Sequence, residues 1–414
     1  MSSQFKVFLT ALVAIAVAAG GYFYLQGAKK DTDTIVLGAA ISLTGKYSTN
    51  GSHTKNGYDL AVLKINANGG VKVGDRSYKI KIIYYDDEST PARGAQLAER
   101  LIKQDGVKYM LGPYSSGLTK AIAPVTEKYK VPMVEGNGAS LSLFKKGYKH
   151  LFAVLSTTQF YLKEAVNLAA TQAKLAGIDP KTLKVALAFE NDPFSQDVRA
   201  GVVEDAKRYG MQIVVDDKLP PDLNDMSVTL TKVKALKPDV LIVSGHAKGA
   251  ALAVRQIADM KVNVPMLALT HCDSAKVIKK FKAKSEYTLC ASQWDRGLSY
   301  KDSLFGSAED FALLYEKTYK YSPPYQSAES AASVQVFADA FQRAGTLDPA
   351  KVRDALTTTK MQTFYGNIKF DASGKNIAKP MVLYQIQGGK YKVVAPLKWA
   401  GAKIVHPTPS WDKR

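Results

Sequence analysis

Short apolar segments alternate with amphipathic helical segments along this sequence, and that alternation restricts the fold more than any other feature. Residues 35–40, 79–85 and 107–111 have the length and the apolar content of buried strands. Between them, residues 55–66 and 92–104 repeat apolar side chains at the spacing of one helix face. Because parallel strands need long crossovers, these repeated units predict parallel sheets covered by helices on both faces.

A second set of the same units begins at residue 184 and predicts a second lobe of the same architecture. The sequence therefore predicts an α/β fold with two parallel-sheet lobes, and a ligand is expected beyond the carboxyl ends of the strands. The strand candidates of this second set are residues 184–189, 212–215, 240–243, 266–269 and 288–291.

A cluster of hydroxyl residues directly follows one of the strand candidates. The strand at 107–111 stops at Gly112, and Ser115, Ser116 and Thr119 then enter a helix-like stretch. The first N–H groups of a helix have no partner and carry partial positive charge, which suits a carboxylate. The hydroxyls could equally serve only as the N-cap of that helix. The choice depends on whether the rest of the chain builds a cleft that faces this turn.

Composition argues against several classes of function. The chain has 414 residues and a formal net charge of +19, but its lysines are spread over polar helix faces and form no basic–aromatic stripe for nucleic acid. With 2 cysteines, 5 histidines and no close group of ligands, we expect neither a metal site nor a cofactor. The sequence has no phosphate loop, dinucleotide fingerprint or G-x-S-x-G elbow, so we do not expect an enzyme.

The first 30 residues have the composition of an export segment. Residues 7–27 carry no charged side chain, and Lys6 lies directly before them. This segment is long enough to span a bilayer, and its pattern also fits a secretory signal with a cleavage site at Ala16-Val17-Ala18. Under both interpretations the rest of the chain is periplasmic, either free or tethered to the inner membrane.

Nine segments in a fixed order, between residue 35 and about residue 387, carry a resemblance to a known family. They are IVLGAAISLTGKYSTNG, GYDLAV, NANGGV, IIYYDDESTPARGAQLAERLI, YMLGPYSSGLTKAIAPV, KVPMVEGNGAS, KGYKHLFAV, KALKPDVLIVSG and FYGNIKFDASGKN. With these segments the chain resembles the periplasmic leucine/isoleucine/valine-binding proteins, the type I solute-binding proteins of branched-chain amino-acid ABC transporters.

The resemblance implies two lobes that are joined by three crossing strands and close on a ligand. The crossings would lie near residues 152–156, 289–292 and 369–376. Lobe I would then hold residues 34–154 and 292–370, lobe II residues 155–291 and 371–402, and residues 403–414 would form a tail. We expect a monomer that captures a small carboxylate solute, by the resemblance a branched-chain amino acid, and delivers it to the permease subunits of an ABC importer.

The resemblance also assigns binding residues to both lobes. In lobe I the ligand carboxylate would lie against Ser115 and Ser116 and against the turn that contains Asn137 and Ala139. Further contacts are expected from Tyr47 and Asn50 in lobe I, and from Phe194, His246 and His271 in lobe II.

His271 departs from the family pattern in a way that affects ligand choice. It occupies the position at which amino-acid-binding relatives offer an acid to the ammonium group, and a neutral imidazole has no negative charge. Asp273 and Glu190 are possible substitutes, but neither occupies that position. A branched-chain amino acid, an aromatic or hydroxylated acid and a dicarboxylate therefore stay open, as does a ligand-sensing role beside a membrane receptor. Pairing of Cys272 with Cys290 also stays open.

Overall fold

The computed structural model describes residues 33–221 and 223–414. The segment 1–30, which was predicted to be a signal peptide or a membrane anchor, lies outside these residues. Within the described ranges, no helix has both the length and the apolar character needed to cross a membrane.

Strands and helices alternate along the described chain. The strands are β1 (Thr34–Ile41), β2 (Val71–Val73), β3 (Arg76–Asp86), β4 (Met110–Leu111), β5 (Met133–Glu135), β6 (Leu151–Ala153), β7 (Lys184–Glu190), β8 (Gln212–Leu219), β9 (Val240–Ser244), β10 (Met266–Leu269), β11 (Leu289–Ser292), β12 (Lys301–Asp302), β13 (Gly306–Ser307), β14 (Lys360–Thr363), β15 (Gly366–Lys369), β16 (Val382–Gln387) and β17 (Lys390–Ala395). The α-helices are α1 (Ser48–Ala67), α2 (Pro91–Lys103), α3 (Ser116–Lys128), α4 (Lys163–Leu175), α5 (Pro193–Arg208), α6 (Ser227–Leu236), α7 (Ala247–Asp259), α8 (Val277–Phe281), α9 (Ala308–Tyr319), α10 (Tyr325–Ala344) and α11 (Pro349–Thr357).

Two large sheets organise the molecule. The first has the strand order β2-β3-β1-β4-β5-β6, and the second has the order β17-β16-β11-β10-β9-β7-β8. In the first sheet all neighbouring strands run parallel except β2 and β3, which pair antiparallel. In the second sheet the neighbouring strands β11-β10-β9-β7-β8 all run parallel. Strands β7 and β9 are buried along almost their whole length, as expected for parallel strands covered on both faces. The predicted α/β class with two parallel-sheet lobes is confirmed.

Helix α1 begins seven positions earlier than the sequence pattern predicted, at Ser48 and not at residue 55. The predicted start was wrong because Asn50-Gly51 reads locally as a turn. In the structure Gly51 instead allows close packing, since a Cβ there would lie 1.7 Å from the carbonyl oxygen of Ser42. Asn50 consequently lies in the first turn of a helix and not in a loop.

Helix α10 lies deep in the molecule and returns to the first sheet. Every residue from Tyr325 to Phe337 is buried, which is typical of a helix surrounded on all sides. The helix packs against α1, β2 and β5. At Gly57 of α1 a Cβ would lie 2.2 Å from the carbonyl oxygen of Ser327, so the two helices are in backbone contact.

The three connections between the sheets lie side by side. Gln293 donates its Nε2 to the carbonyl of Ser156 at 2.8 Å, and Asn376 donates its Nδ2 to the carbonyl of Val154 at 2.7 Å. Ala153 also forms a bridge with Lys375. These bonds join the regions of the three predicted crossings, whereas the residue limits of the lobes stay a prediction.

A disulfide and the C-terminal segment both lie against the second sheet. Cys272 and Cys290 are bonded to each other, with their Cα atoms 5.8 Å apart. The bond joins the loop after β10 to the neighbouring strand β11. In the segment 403–414, Trp411 donates its indole N–H to the carbonyl of Val262 at 2.9 Å.

Candidate functional site

Loops that follow the carboxyl ends of strands in both sheets meet at one small cavity. Strands β4 and β5 of the first sheet and β7, β9 and β10 of the second lead into these loops. The cavity has a volume of about 10 Å³, which is room for a single water molecule, so the two sides of the cleft are closed on each other. It is lined by Tyr114, Ser115, Ser116, Asn137, Tyr161, Phe194, His246, His271, Tyr325 and Glu329.

Six of the nine predicted site residues line this cavity, and Tyr47, Ala139 and Asn50 do not. Tyr47 packs its ring against those of Tyr114 and His246, with centroids 5.6 and 4.7 Å apart. Ala139 is buried, and its carbonyl accepts a hydrogen bond from the backbone N–H of Thr158 at 2.9 Å. Asn50 is buried, and its Nδ2 forms no hydrogen bond within the described chain.

The serine turn forms the beginning of α3, with Ser115 at the N-cap position. In the described structure its hydroxyl does not cap the helix, and Ser115 Oγ is buried without a hydrogen-bond partner. Ser116 Oγ accepts the backbone N–H of Ser140 at 3.1 Å. A simple N-cap therefore does not explain Ser115, and its hydroxyl is available to a ligand at the positive end of the helix.

A buried carboxyl group beneath the turn after β5 holds that turn in place. Glu135 accepts hydrogen bonds from the backbone N–H of Asn137, from that of Gly138 at 2.7 Å and from Thr119 Oγ1 at 2.8 Å. Burial raises the pKa of Glu135 to about 7 although these bonds oppose the shift. A Cβ at Gly112 would lie 2.0 Å from Glu135 Oε2, so only glycine leaves room for the carboxyl group.

Tyr114 connects the two histidines of the opposite side. Its hydroxyl lies 2.6 Å from His246 Nδ1 and 3.0 Å from His271 Nε2. Burial, together with the charge of His246, lowers the pKa of His271 to about 3, so this imidazole is neutral at physiological pH. Phe194 and Tyr325 flank it, with ring centroids 5.1 and 6.1 Å from that of His271. At the position where amino-acid-binding relatives are expected to offer an acid, the structure places the neutral ring of His271, flanked by Phe194, Tyr325 and the phenol of Tyr114.

Two carboxylates, Asp192 and Glu190, lie behind His246, and each has at least one oxygen in a hydrogen bond or an ion pair. Asp192 caps α5 by accepting the N–H groups of Phe194 and Ser195, and its Oδ1 lies 3.4 Å from His246 Nε2. Burial would raise the pKa of Asp192, but His246 and the N–H donors outweigh it and the pKa is lowered. Glu190 pairs with Lys46 at 3.0 Å. Glu190, Asp192 and His246 bring ligand atoms within 4.8 Å of one another. Asp192 Oδ1 makes the contacts given above, whereas Asp192 Oδ2 is buried and forms no hydrogen bond within the described residues.

Four residues that line the cavity were missed by the sequence analysis. Tyr114 precedes the serines that were selected, and Tyr161 lies just beyond the first crossing. Tyr325 and Glu329 are one turn apart on α10, a spacing that could have indicated a shared face. Burial raises the pKa of Glu329 well above its ordinary value and so favours the neutral acid. The charge of Lys379 and the hydrogen bond from Tyr365 oppose this shift.

Comparison with known proteins gives consistent matches over most of the chain. The family described as "Periplasmic binding protein" matches residues 34–390. The Leu/Ile/Val-binding protein homolog 7 of Brucella suis biovar 1 (strain 1330) is 24% identical over 400 residues, which cover 93% of this chain and 96% of that protein.

Solved structures share the fold at low sequence identity. The substrate-binding protein LivJ of the Streptococcus pneumoniae branched-chain amino acid transporter, in complex with isoleucine, has a TM-score of 0.76 at 24% identity, covering 90% of this chain and 100% of that one. A solute-binding protein of an ABC transporter from R. palustris, in complex with benzoate, has a TM-score of 0.74 at 18% identity, covering 90% and 98%.

Proposed function

This chain belongs to the periplasmic binding protein family, and we propose that it captures a small aromatic or hydroxylated carboxylic acid for an ABC importer. The chain is a substrate-binding protein of the branched-chain amino-acid ABC-transporter family, which acts outside the cytoplasm together with permease components. The predicted resemblance is confirmed, as is the prediction that the protein is not an enzyme, because the family and its structural neighbours are solute-binding proteins.

The choice of ligand rests on the absence of an available counter-charge for an ammonium group. Among the described residues that line the cavity, the one carboxyl group is Glu329, and burial favours its neutral form. The position at which amino-acid-binding relatives are expected to offer an acid holds His271, which is neutral and bonded to Tyr114. Burying an ammonium without an anionic partner costs several kcal/mol, so this arrangement disfavours an α-amino acid.

The same cavity offers suitable partners for each part of an aromatic acid. The hydroxyl of Ser115 and the start of α3 would receive the carboxylate. Phe194, Tyr161 and Tyr325 would pack against a ring, and Tyr114 or a histidine would bond to a ring hydroxyl. The benzoate complex of the related fold supports a ligand of this size and charge.

Binding would require the cleft to open and Tyr114 to move aside. The closed cavity of about 10 Å³ cannot hold a benzoate-sized molecule beside the Tyr114 ring. In a hinged clamp the open form admits the solute, and contacts with both lobes then stabilise the closed form. We expect the permease to recognise that closed form, and a single copy to suffice for capture.

Calorimetric titration with four solutes tests the proposal directly. Benzoate and 4-hydroxybenzoate should bind more tightly than leucine and isoleucine and should raise the melting temperature further. Tighter binding of either amino acid, or absence of binding by all four solutes, would overturn the aromatic assignment.

A branched-chain amino acid is the second candidate. The names of the Brucella relatives and the isoleucine complex of LivJ favour it. An amino acid would need a carboxylate from this chain to face its ammonium group. Glu329 would have to ionise, because Asp273 accepts the backbone N–H of Tyr325 at 3.2 Å and does not line this cavity.

A further inference from the structure

A second and much larger cavity lies between the two sides of the molecule, among helices and loops that pack on the two sheets. It has a volume of about 610 Å³ and shares no lining residue with the small cavity described above. One wall comes from α1, α9 and the loop at 321–324, and the facing wall comes from α8 and the β16–β17 turn. We call it the hinge-side cavity, because Trp294, Asp295 and Arg296 of its lining closely follow the predicted crossing near residues 289–292. We propose that it is a second binding site, for an organic anion with a flat apolar body.

The apolar part of the site is aromatic. Trp294 and Tyr384 line the cavity and are only 3% and 6% exposed. The polar end of each ring already has a partner, since Trp294 Nε1 donates to the carbonyl of Phe364 at 3.2 Å and Tyr384 Oη donates to that of Trp294 at 2.7 Å. Tyr321 and Tyr391 complete a set of rings that suits a flat apolar body.

Among the residues that line the cavity, the basic side chains outnumber the acidic ones. Lys276, Lys279 and Lys390 line it, and none has an acidic partner within 4 Å among the described residues. The two acids of the lining, Asp273 and Asp295, accept backbone N–H groups at 2.8 Å from Ser274 and at 2.7 Å from Gly297. The remaining cation, Arg296, is paired with Glu309 and Glu316. The three lysines without an acidic partner would therefore attract an anion.

Two buried polar atoms of the lining have no hydrogen-bond partner in the described part of the chain. They are His53 Nε2 and Tyr391 Oη, and His53 is 3% exposed. The other ring nitrogen of His53 bonds to Tyr321 Oη at 2.9 Å. Burial and the charge of Lys276 lower the pKa of His53 to about 4, against an interaction with the backbone of Ser274, so the ring is neutral. Buried polar atoms are rarely left unpaired, and a bound molecule would supply the missing partners.

The position of the site implies coupling to the clamp. A molecule in the cavity contacts elements of both lobes, so its binding depends on their separation. The solute in the small cavity and the anion in the hinge-side cavity would then affect each other's affinity by the same factor. The site does not depend on which solute the small cavity takes.

The experiment uses the full chain and the fluorescent probe 1-anilinonaphthalene-8-sulfonate, which is flat, apolar and anionic. We expect saturable binding, which the double variant Lys276→Gln/Lys279→Gln weakens about tenfold, the effect of losing roughly 1.4 kcal/mol of charge attraction. Lys280→Gln is the matched control, because Lys280 is the next residue of α8, is exposed and does not line the cavity. The uncharged analogue N-phenyl-1-naphthylamine should not distinguish the variants.

Three results would overturn the proposal. They are non-saturable probe binding, equal weakening by Lys280→Gln, and weakening by Ser115→Ala without an effect of the lysine pair. The last result would place the probe in the small cavity. Because the substituted lysines are at least partly exposed, an unchanged melting temperature of the variants will show that folding is intact. Failure of the solute titrations would leave this test unaffected, so the two proposals can fail separately.

Discussion

Lys46 and Glu190 form an ion pair across the cleft, with Nζ and Oε2 3.0 Å apart. Lys46 lies in the loop between β1 and α1, and Glu190 ends β7 in the other sheet. The glutamate side chain is 2% exposed and that of the lysine 19%, so the pair is largely shielded from water. Lys46 also donates to the carbonyl of Pro221, which adds a second contact between the same two sides.

Replacing Lys46 with Met should favour the open clamp. The substitution leaves the buried Glu190 carboxylate without its partner in the closed form, and we expect solute affinity to fall by about 1–3 kcal/mol. Titration calorimetry measures the affinity, and small-angle scattering of the solute-bound protein reports the opening. Lys55→Met is the control, since its partner Asp59 lies one turn away on the same helix. An equal effect of both substitutions would contradict a role in closure.

Ser115→Ala should weaken solute binding without lowering the stability of the unliganded protein. The hydroxyl of Ser115 has no partner within the described residues, so its loss leaves nothing unpaired, whereas a bound carboxylate would lose a bond worth about 1–2 kcal/mol. Ser116→Ala should lower both the solute affinity and the stability of the unliganded protein, because Ser116 Oγ accepts the N–H of Ser140. Urea unfolding and calorimetry separate the two effects. Unchanged affinity in Ser115→Ala would remove the carboxylate from this turn.

Tyr114→Phe should destabilise the closed structure. Removing the hydroxyl leaves His246 Nδ1 and His271 Nε2 unpaired in a buried site, with an expected loss of about 1–3 kcal/mol in the free energy of unfolding. Urea denaturation without solute measures the loss. Tyr85→Phe, which removes an exposed bond to Asp105, serves as the comparison and should change little. A similar small change in both variants would mean that the phenol does not hold the two histidines.

The pH dependence of stability should contain a contribution from His271. Its pKa is about 3 in the folded protein and 6.5 ordinarily, so between these values the unfolded chain binds more protons. Stability from this group is therefore present above pH 6.5 and is lost as the pH falls toward 3. In His271→Gln that loss is absent, so the free energy of unfolding of the variant should rise relative to that of the wild type as the pH falls. Parallel pH profiles in urea unfolding would contradict the burial of a neutral His271.

His271→Glu should shift ligand preference toward amines. A carboxylate at this position would supply the counter-charge that the cavity lacks, and we expect the preference for leucine over benzoate to improve by roughly 1–2 kcal/mol. His271→Gln is the neutral control of similar size. Calorimetric titration of both variants with both solutes gives the comparison. If the Glu and Gln variants have the same preference, position 271 does not face the ammonium group.

Local patterns in the sequence were sufficient to predict most of the architecture. Hydrophobic periodicity indicated the strands and helices of both sheets, because a buried face imposes its spacing on neighbouring residues. The pattern was less accurate at the ends of elements, as at Ser48, where Asn50-Gly51 lies within the helix and Gly51 packs against the backbone of Ser42. The serine turn was found because its hydroxyls directly follow a strand.

Only the tertiary structure decided how the two sides of the cleft meet. Tyr114 contacts His246, which lies 132 positions later in the chain, and Lys46 contacts Glu190, which lies 144 positions later. No local pattern encodes such contacts, because chain positions this far apart are brought together only by packing of the two sheets. The neutrality of His271 arises in the same way, since its lowered pKa comes first from burial. The amino-acid sequence therefore determined which groups are present at the strand ends, and folding determined their charge and their partners.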